Sequence, residues 1–184
     1  MPIKTPICDF GNTALPFELK STDNKIISLD NIKGENGTLI MFICNHCPYV
    51  KAVTKEIVED CNELKKIGIN SVAICSNDAV NYPDDSFENM IKFSNDNHFN
   101  FPYLQDETQE IAKAYDAVCT PDFFGYNKDL GLQYRGRLRE LKNFVPVKDG
   151  ESDLLKAMKQ IAETGKGPQN QIPSAGCGIK WKYN

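Results

Sequence analysis

Positive charge, histidine and long apolar runs are all scarce in this chain of 184 residues. Lys and Arg number 21 against 25 Asp and Glu, so the formal net charge is -4. Nothing in that balance draws the chain to nucleic acid or to an anionic membrane, and neither is expected as a partner. No stretch approaches the ~18 consecutive apolar residues of a membrane span. The start, Met1-Pro2-Ile3-Lys4, has no apolar core of an export signal, so a cytoplasmic location is expected. Only two histidines are present, His46 and His98. Cys44, His46 and Cys47 offer soft metal ligands, but a structural zinc site needs a second pair at matching spacing, and none exists. No metal site is expected. A glycine-rich dinucleotide fingerprint and a phosphate-binding P-loop are also missing, and no cofactor is expected. Repeats and linkers are absent as well. The expectation is one domain over residues 1–184, with 165–184 as a tail over its surface.

What the chain does have is cysteine, at 8, 44, 47, 61, 75, 119 and 177. Seven is odd, and without an export signal a disulfide framework is not expected. The question becomes which thiols react. Phe17–Leu19 and Ile26–Leu29 flank a polar turn and predict a β-hairpin. Thr38–Cys44 is a continuous apolar run, suited to a central strand covered on both faces. Pro48 to Lys66 predicts a helix: Pro48 fits its first position, Val53, Ile57, Cys61 and Leu64 share one face, and Gly68 closes it. Ile69–Cys75 is a second buried strand, which completes a β-α-β unit. Further on, the pattern predicts a helix from Ser86 to Asn97 and a strand at Phe101–Leu104. A short helix over Asp106–Tyr115, strands at Val118–Tyr126 and Leu132–Arg135 and a last helix over Ser152–Thr164 complete the set.

Cys47 stands directly before Pro48, where the free N–H groups and the positive end of the helix dipole favour a thiolate. His46 is adjacent and can add positive charge or relay a proton. Two registers are open. Cys44-Asn45-His46-Cys47 can be a C-x-x-C pair with Cys44 attacking, or Cys47 can be the leading thiol with Cys44 back in the strand. An extended strand of three residues spans ~10 Å, and a disulfide needs Cα atoms within ~7 Å, so a Cys44–Cys47 bridge requires a tight turn at Asn45-His46.

Six stretches carry a resemblance over nearly the whole chain. They are Phe42–Lys51, Ser76–Asp78, Tyr82–Met90, Cys119–Phe124, Tyr134–Arg137 and Gly176–Trp181. In order and content the chain resembles the peroxiredoxin-like 1 group of the thioredoxin-like superfamily, whose members are often labelled AhpC/TSA-type. The resemblance implies an α/β thioredoxin-like fold, a mixed central sheet flanked by helices, with a peroxiredoxin-type N-terminal β-hairpin. It also implies a cis peptide before Pro121, with Pro48, Thr120 and Pro121 on the substrate side of Cys47. The match departs from true peroxiredoxins, which look like Pro-x-x-x-Thr/Ser-x-x-Cys with a supporting Arg. Here Ile40 and Cys44 replace that proline and threonine. Arg135, Arg137 and Arg139 are the candidates for that arginine, but they read better as a solvated face of a hairpin and its following loop.

A nucleophilic Cys47 needs a second thiol to release its product. Cys44, Cys119, Cys177 on its glycine-flanked tail, and an external thiol all remain open. Cys61 and Cys75 read as small buried hydrophobes, and Cys8 is uninformative. The resulting expectation is a thiol–disulfide oxidoreductase acting on a protein or small-molecule disulfide or a peroxide, with a thiol reductant, as monomer or homodimer. A thiol peroxidase and a non-catalytic binding module are the alternatives.

Overall fold

The computed structural model describes residues 1–183. The chain opens with β1 (Ile3–Lys4) and the expected hairpin, β2 (Glu18–Ser21) and β3 (Ile26–Ser28). Instead of continuing to Leu29, the strand stops at Ser28, which caps a one-turn helix, α1 (Leu29–Ile32). Ser28 Oγ accepts from the Asn31 N–H, and Asn31 Oδ1 accepts from the Ser28 N–H. That reciprocal pair stabilises a helix start more than one further strand residue would.

Next come β4 (Gly37–Phe42), α2 (Pro48–Lys66) and β5 (Ile69–Cys75), with β4 and β5 parallel. Every residue of β4 is buried because the strand has a core on each face. Leu39, Met41 and Ile43 pack with Val53, Ile57, Cys61 and Leu64 of α2. Ile40 and Phe42 point the other way, into a cluster with Val72, Ile74 and Phe124. Period-two alternation between two apolar environments is why the run has so few polar residues. Burial of the α2 face contributes about 1.5–3 kcal/mol per large side chain. At its end Gly68 adopts φ +80°, and its N–H donates to the Lys65 carbonyl at 3.2 Å.

A 3-10 turn at Pro83–Asp85 leads to α3 (Phe87–Asp96), where Ser86 Oγ accepts from the Asn89 N–H as a cap. β6 (Tyr103–Gln105) and α4 (Glu110–Ala114) are shorter or later than their sequence patterns suggest. The buried Asp106 carboxylate is one reason: it accepts from Ser76 Oγ and from the N–H groups of Ile111 and Ala112. These bonds satisfy donors at the start of α4. Then follow β7 (Cys119–Thr120), β8 (Asp122–Tyr126), β9 (Leu132–Tyr134), β10 (Leu141–Lys142), β11 (Val145–Pro146), α5 (Asp153–Thr164) and β12 (Ala175–Gly178).

The main sheet runs β3-β2-β6-β5-β4-β8-β9, mixed in direction, with α2 and α5 against one face. The sequence pattern merges β7 and β8 into a single strand. In the structure the Thr120–Pro121 peptide is cis, β8 belongs to the main sheet, and β7 lies in a separate sheet of order β1-β12-β7. The tail is corrected too. It lies on the surface only in part, because Ser174, Gly176 and Ile179 are buried, and β12 bonds to β1 on one edge and β7 on the other.

Candidate functional site

Cys47 is the N-cap of α2, with extended backbone and Pro48 at the first helical position. Of the two registers, this is the one in which Cys47 leads the helix. β4 ends at Phe42, the Ile43 N–H still donates to the Ile74 carbonyl, and Cys44 lies just past the strand. Asn45 and His46 form the bend that a close approach of Cys44 to Cys47 requires. Asp85 pins that bend: its Oδ1 accepts from the Asn45 N–H at 2.8 Å, while its Oδ2 accepts from Asn77 Nδ2 at 2.8 Å. The Tyr103 hydroxyl donates to Asn45 Oδ1 at 2.8 Å.

The Cys47 sulfur faces β7. Cys47 Sγ lies 3.2 Å from the Thr120 carbonyl oxygen, to which the thiol form donates. Cys44 Sγ lies 3.4 Å from Thr120 Oγ1. Donation from the Cys44 thiol holds Cys47 well below the ordinary thiol value, against the penalty of burial. The Thr120 hydroxyl and the thiol and amide of Cys177 add to the lowering. Cys44 moves the other way, pushed up first by its bond to the Cys47 sulfur and then by burial and the Asp85 charge. The two thiols are thus shifted in opposite directions, Cys47 down and Cys44 up. Cys47 is nonetheless fully buried. An accessible nucleophile is not what the resting fold presents.

His46 is placed otherwise than its sequence position suggests. Its Nδ1 stands 2.6 Å from Asp85 Oδ2, and its ring stacks on Tyr82 with centroids 6.3 Å apart. The imidazole is tied to the carboxylate that shapes the bend, and the main influences on the Cys47 sulfur come from Cys44, Thr120 and Cys177. Cys44, His46 and Asp85 bring ligand atoms within 4.8 Å of one another. Asp85 is already committed to Asn45, Asn77 and His46. Asp85, Asn77 and Tyr103 are the site residues that sequence reasoning missed. The first two lie inside motifs that carried the family resemblance, but nothing local marked their role.

Cys119 is fully buried, its Sγ turned toward the Pro121 carbonyl at 3.7 Å, and burial pushes its thiol up. Cys177 is half-buried and lies opposite Thr120 in the β12–β7 pair. Cys61 and Cys75 are buried, and burial pushes both thiols up to about 12, in keeping with a packing role. Cys8 is pushed up to about 11 by burial.

The three arginines correct the reading of a solvated face. Arg135 and Arg139 are buried in ion pairs. Arg135 donates to Asp122 through Nε and Nη2 at 3.2 and 2.9 Å, and Arg139 forms a fork on Glu56 at 2.7–2.9 Å. Arg137 donates to Asp153 at 2.7 Å. Arginines buried in this fold have to be paired, and the paired carboxylates are far along the sequence. Beside Pro121 runs a cleft of about 320 Å³, walled by Tyr49, Phe123, Leu138, Ile172, Ser174 and Ala175. Among the described residues no helix is long and apolar enough to cross a membrane.

A family model described as the AhpC/TSA family matches residues 10–140. The crystal structure of an uncharacterized conserved protein from Geobacillus kaustophilus is 42% identical with a TM-score of 0.94, covering 100% of this chain and 98% of that one. A hypothetical protein from Sinorhizobium meliloti 1021 is 30% identical with a TM-score of 0.91, covering 100% of both chains. The thioredoxin domain of a thiol-disulfide oxidoreductase from Bacteroides vulgatus is 15% identical with a TM-score of 0.58, covering 68% of this chain and 86% of that one. At that identity the likeness is one of fold, and the fold is thioredoxin-like. No curated protein matches the chain.

Proposed function

The chain belongs to the AhpC/TSA family, and from that premise we propose that it is a thiol–disulfide oxidoreductase whose nucleophile is the Cys47 sulfur. One observation carries the proposal: Cys47 caps the 19-residue α2 directly before Pro48, and its sulfur faces the Thr120 carbonyl at the cis Thr120–Pro121 peptide. A thiolate is the attacking form, and the helix N-terminus and the neighbouring Cys44 thiol favour it against burial. The Cys47 thiolate attacks one sulfur of a disulfide, forming a mixed disulfide and expelling the other sulfur as a thiolate. A second thiol then attacks Cys47 Sγ and frees the bound half as a thiolate. Two electrons pass from protein thiols to the substrate, and an external thiol reductant returns them.

Disulfide is favoured over peroxide by what surrounds the sulfur. A peroxide needs donors to stabilise its departing oxygen, whereas a disulfide leaves as a thiolate that is already stable. Arg135, Arg137 and Arg139 are all engaged by carboxylates, and Ile40 and Cys44 stand where the peroxidase pattern has its proline and threonine.

The test is reaction of the reduced protein and Cys47→Ser with oxidised glutathione and, separately, hydrogen peroxide, followed by intact-mass analysis. A disulfide-derived product on wild type that Cys47→Ser lacks is the expected result. No Cys47-dependent product with either oxidant would leave a non-catalytic thioredoxin-fold module.

A further inference from the structure

A buried Cys47 cannot meet a disulfide until something moves, and β12 is the element that lies over it. Cys177 stands opposite Thr120 and Gly178 opposite Cys119, while on the other edge Gly176 and Ala175 pair with Ile3 and Lys4 of β1. The approach is so close that a Cβ on Gly176 would fall 1.9 Å from the Thr120 carbonyl oxygen. Only glycine fits there. Ser174 Oγ anchors the entering end by donating to the Pro121 carbonyl at 2.7 Å. The result is an extended segment bearing a sulfur, laid in register on the strand edge beside the candidate nucleophile. Strand addition to a free edge is one of the ways an extended polypeptide is bound.

We infer that β12 is the built-in occupant of a polypeptide-binding edge formed by Cys119–Thr120, and that Cys177 is the thiol that resolves the mixed disulfide on Cys47. This inference rests on the reading of Cys47 as nucleophile. An extended disulfide-bearing segment replaces β12, and its disulfide is cleaved by Cys47. β12 then returns, and the Cys177 thiolate attacks Cys47 Sγ. A Cys47–Cys177 disulfide forms, the bound half leaves as a thiolate, and the proton lost by Cys177 passes to solvent. The bond is reopened by a low-molecular-weight thiol.

The electrostatics time this step. In the resting molecule burial raises the Cys177 thiol, the bond to Cys47 and its charge add to this, Lys180 opposes, and the value stands at about 11. Once Cys47 is covalently capped, both of its contributions vanish and Cys177 ionises more easily. Cys44 loses its own largest upward contribution in the same change, and what sets it apart from Cys177 is its deeper burial beside the Asp85 charge. Cys119 points to the Pro121 carbonyl instead.

The test treats reduced wild type, Cys177→Ser and Cys44→Ser with one equivalent of oxidised glutathione, then alkylates and maps the peptides. A Cys47–Cys177 linkage is expected in wild type and in Cys44→Ser, and a persistent glutathione adduct on Cys47 in Cys177→Ser. A Cys44–Cys47 linkage in wild type, or an adduct that clears equally fast in Cys177→Ser, overturns the inference but leaves Cys47 as nucleophile. No product at Cys47 in any variant overturns both. A second arm uses Gly176→Val, whose side chain forces β12 off the edge. Alkylation of Cys47 by iodoacetamide should then accelerate by about tenfold or more, as expected when a local opening becomes less costly. An unchanged rate removes β12 as the occupant.

Discussion

A thiol deprived of water ionises only where other donors take the water's place. At Cys47 the neighbouring Cys44 thiol, the Thr120 hydroxyl and Cys177 all pull the thiol down against burial. The Thr120 hydroxyl is the one that can be removed with least change of shape. Thr120→Val should raise the pH midpoint of Cys47 alkylation by about one unit. The sign follows from the lowered thiol: its reactivity persists into acid and falls only as the sulfur protonates, and losing a donor moves that fall to higher pH. A pH series of alkylation rates, read by mass at Cys47, checks it. An unmoved midpoint would mean that Thr120 serves only as backbone. Cys47 itself was legible in the sequence, because the residue before a helix-opening proline must sit at the dipole's positive end. Its burial was not legible, since the strand that lies over it comes from residues 175–178.

Among the elements, α2 has two separable duties under the proposed function: its N-cap, Cys47, carries the chemistry and its apolar stripe holds the fold. Ile57 lies in the middle of that stripe and is fully buried. Ile57→Ala should cost about 2–5 kcal/mol in chemical unfolding while leaving the alkylation midpoint of Cys47 where it is. A large shift of the midpoint would show that the N-terminus of α2 is set by packing further along the helix. The 3.6-residue spacing of Val53, Ile57, Cys61 and Leu64 made this helix readable in advance. β12 was unreadable for the opposite reason. Ala175-Gly176-Cys177-Gly178 has no periodic apolar face, and its strand form comes wholly from backbone bonds to β1 and β7. The one expected strand from Val118 to Tyr126 failed similarly: its apolar and aromatic residues read as one run across Pro121, but the two halves join different sheets.

Across the whole molecule, buried polar ties link α2 to the chain's second half. Glu56 accepts the Arg139 fork, and Asp60 accepts from Ser152 Oγ at 2.6 Å, which fixes the start of α5. Burial pushes the Asp60 carboxyl up to about 6, the Ser152 bond opposing. A raised carboxyl contributes stability that is complete below its unfolded value near 3.8 and is lost as pH rises through the folded value near 6. Asp60→Asn should therefore match wild type near pH 3.5 and exceed it by about 1–2 kcal/mol at pH 8. Thermal or urea unfolding across that range is the measurement. A constant difference would mean that the carboxyl does not titrate between those pH values.

The sequence by itself determined the local features: the apolar strands, the helix behind Pro48, the serine start of α3, and Cys47 as the distinctive thiol. Each is set by residues within a few positions of one another, through periodicity, backbone preference and capping. Only the tertiary structure decided the partners. It set Asp85 under His46, carboxylates against all three arginines, and Cys177 beside Cys47. Those pairs are separated by about 13 to 130 residues in sequence, and no short-range propensity encodes which buried charge or strand edge will find which other.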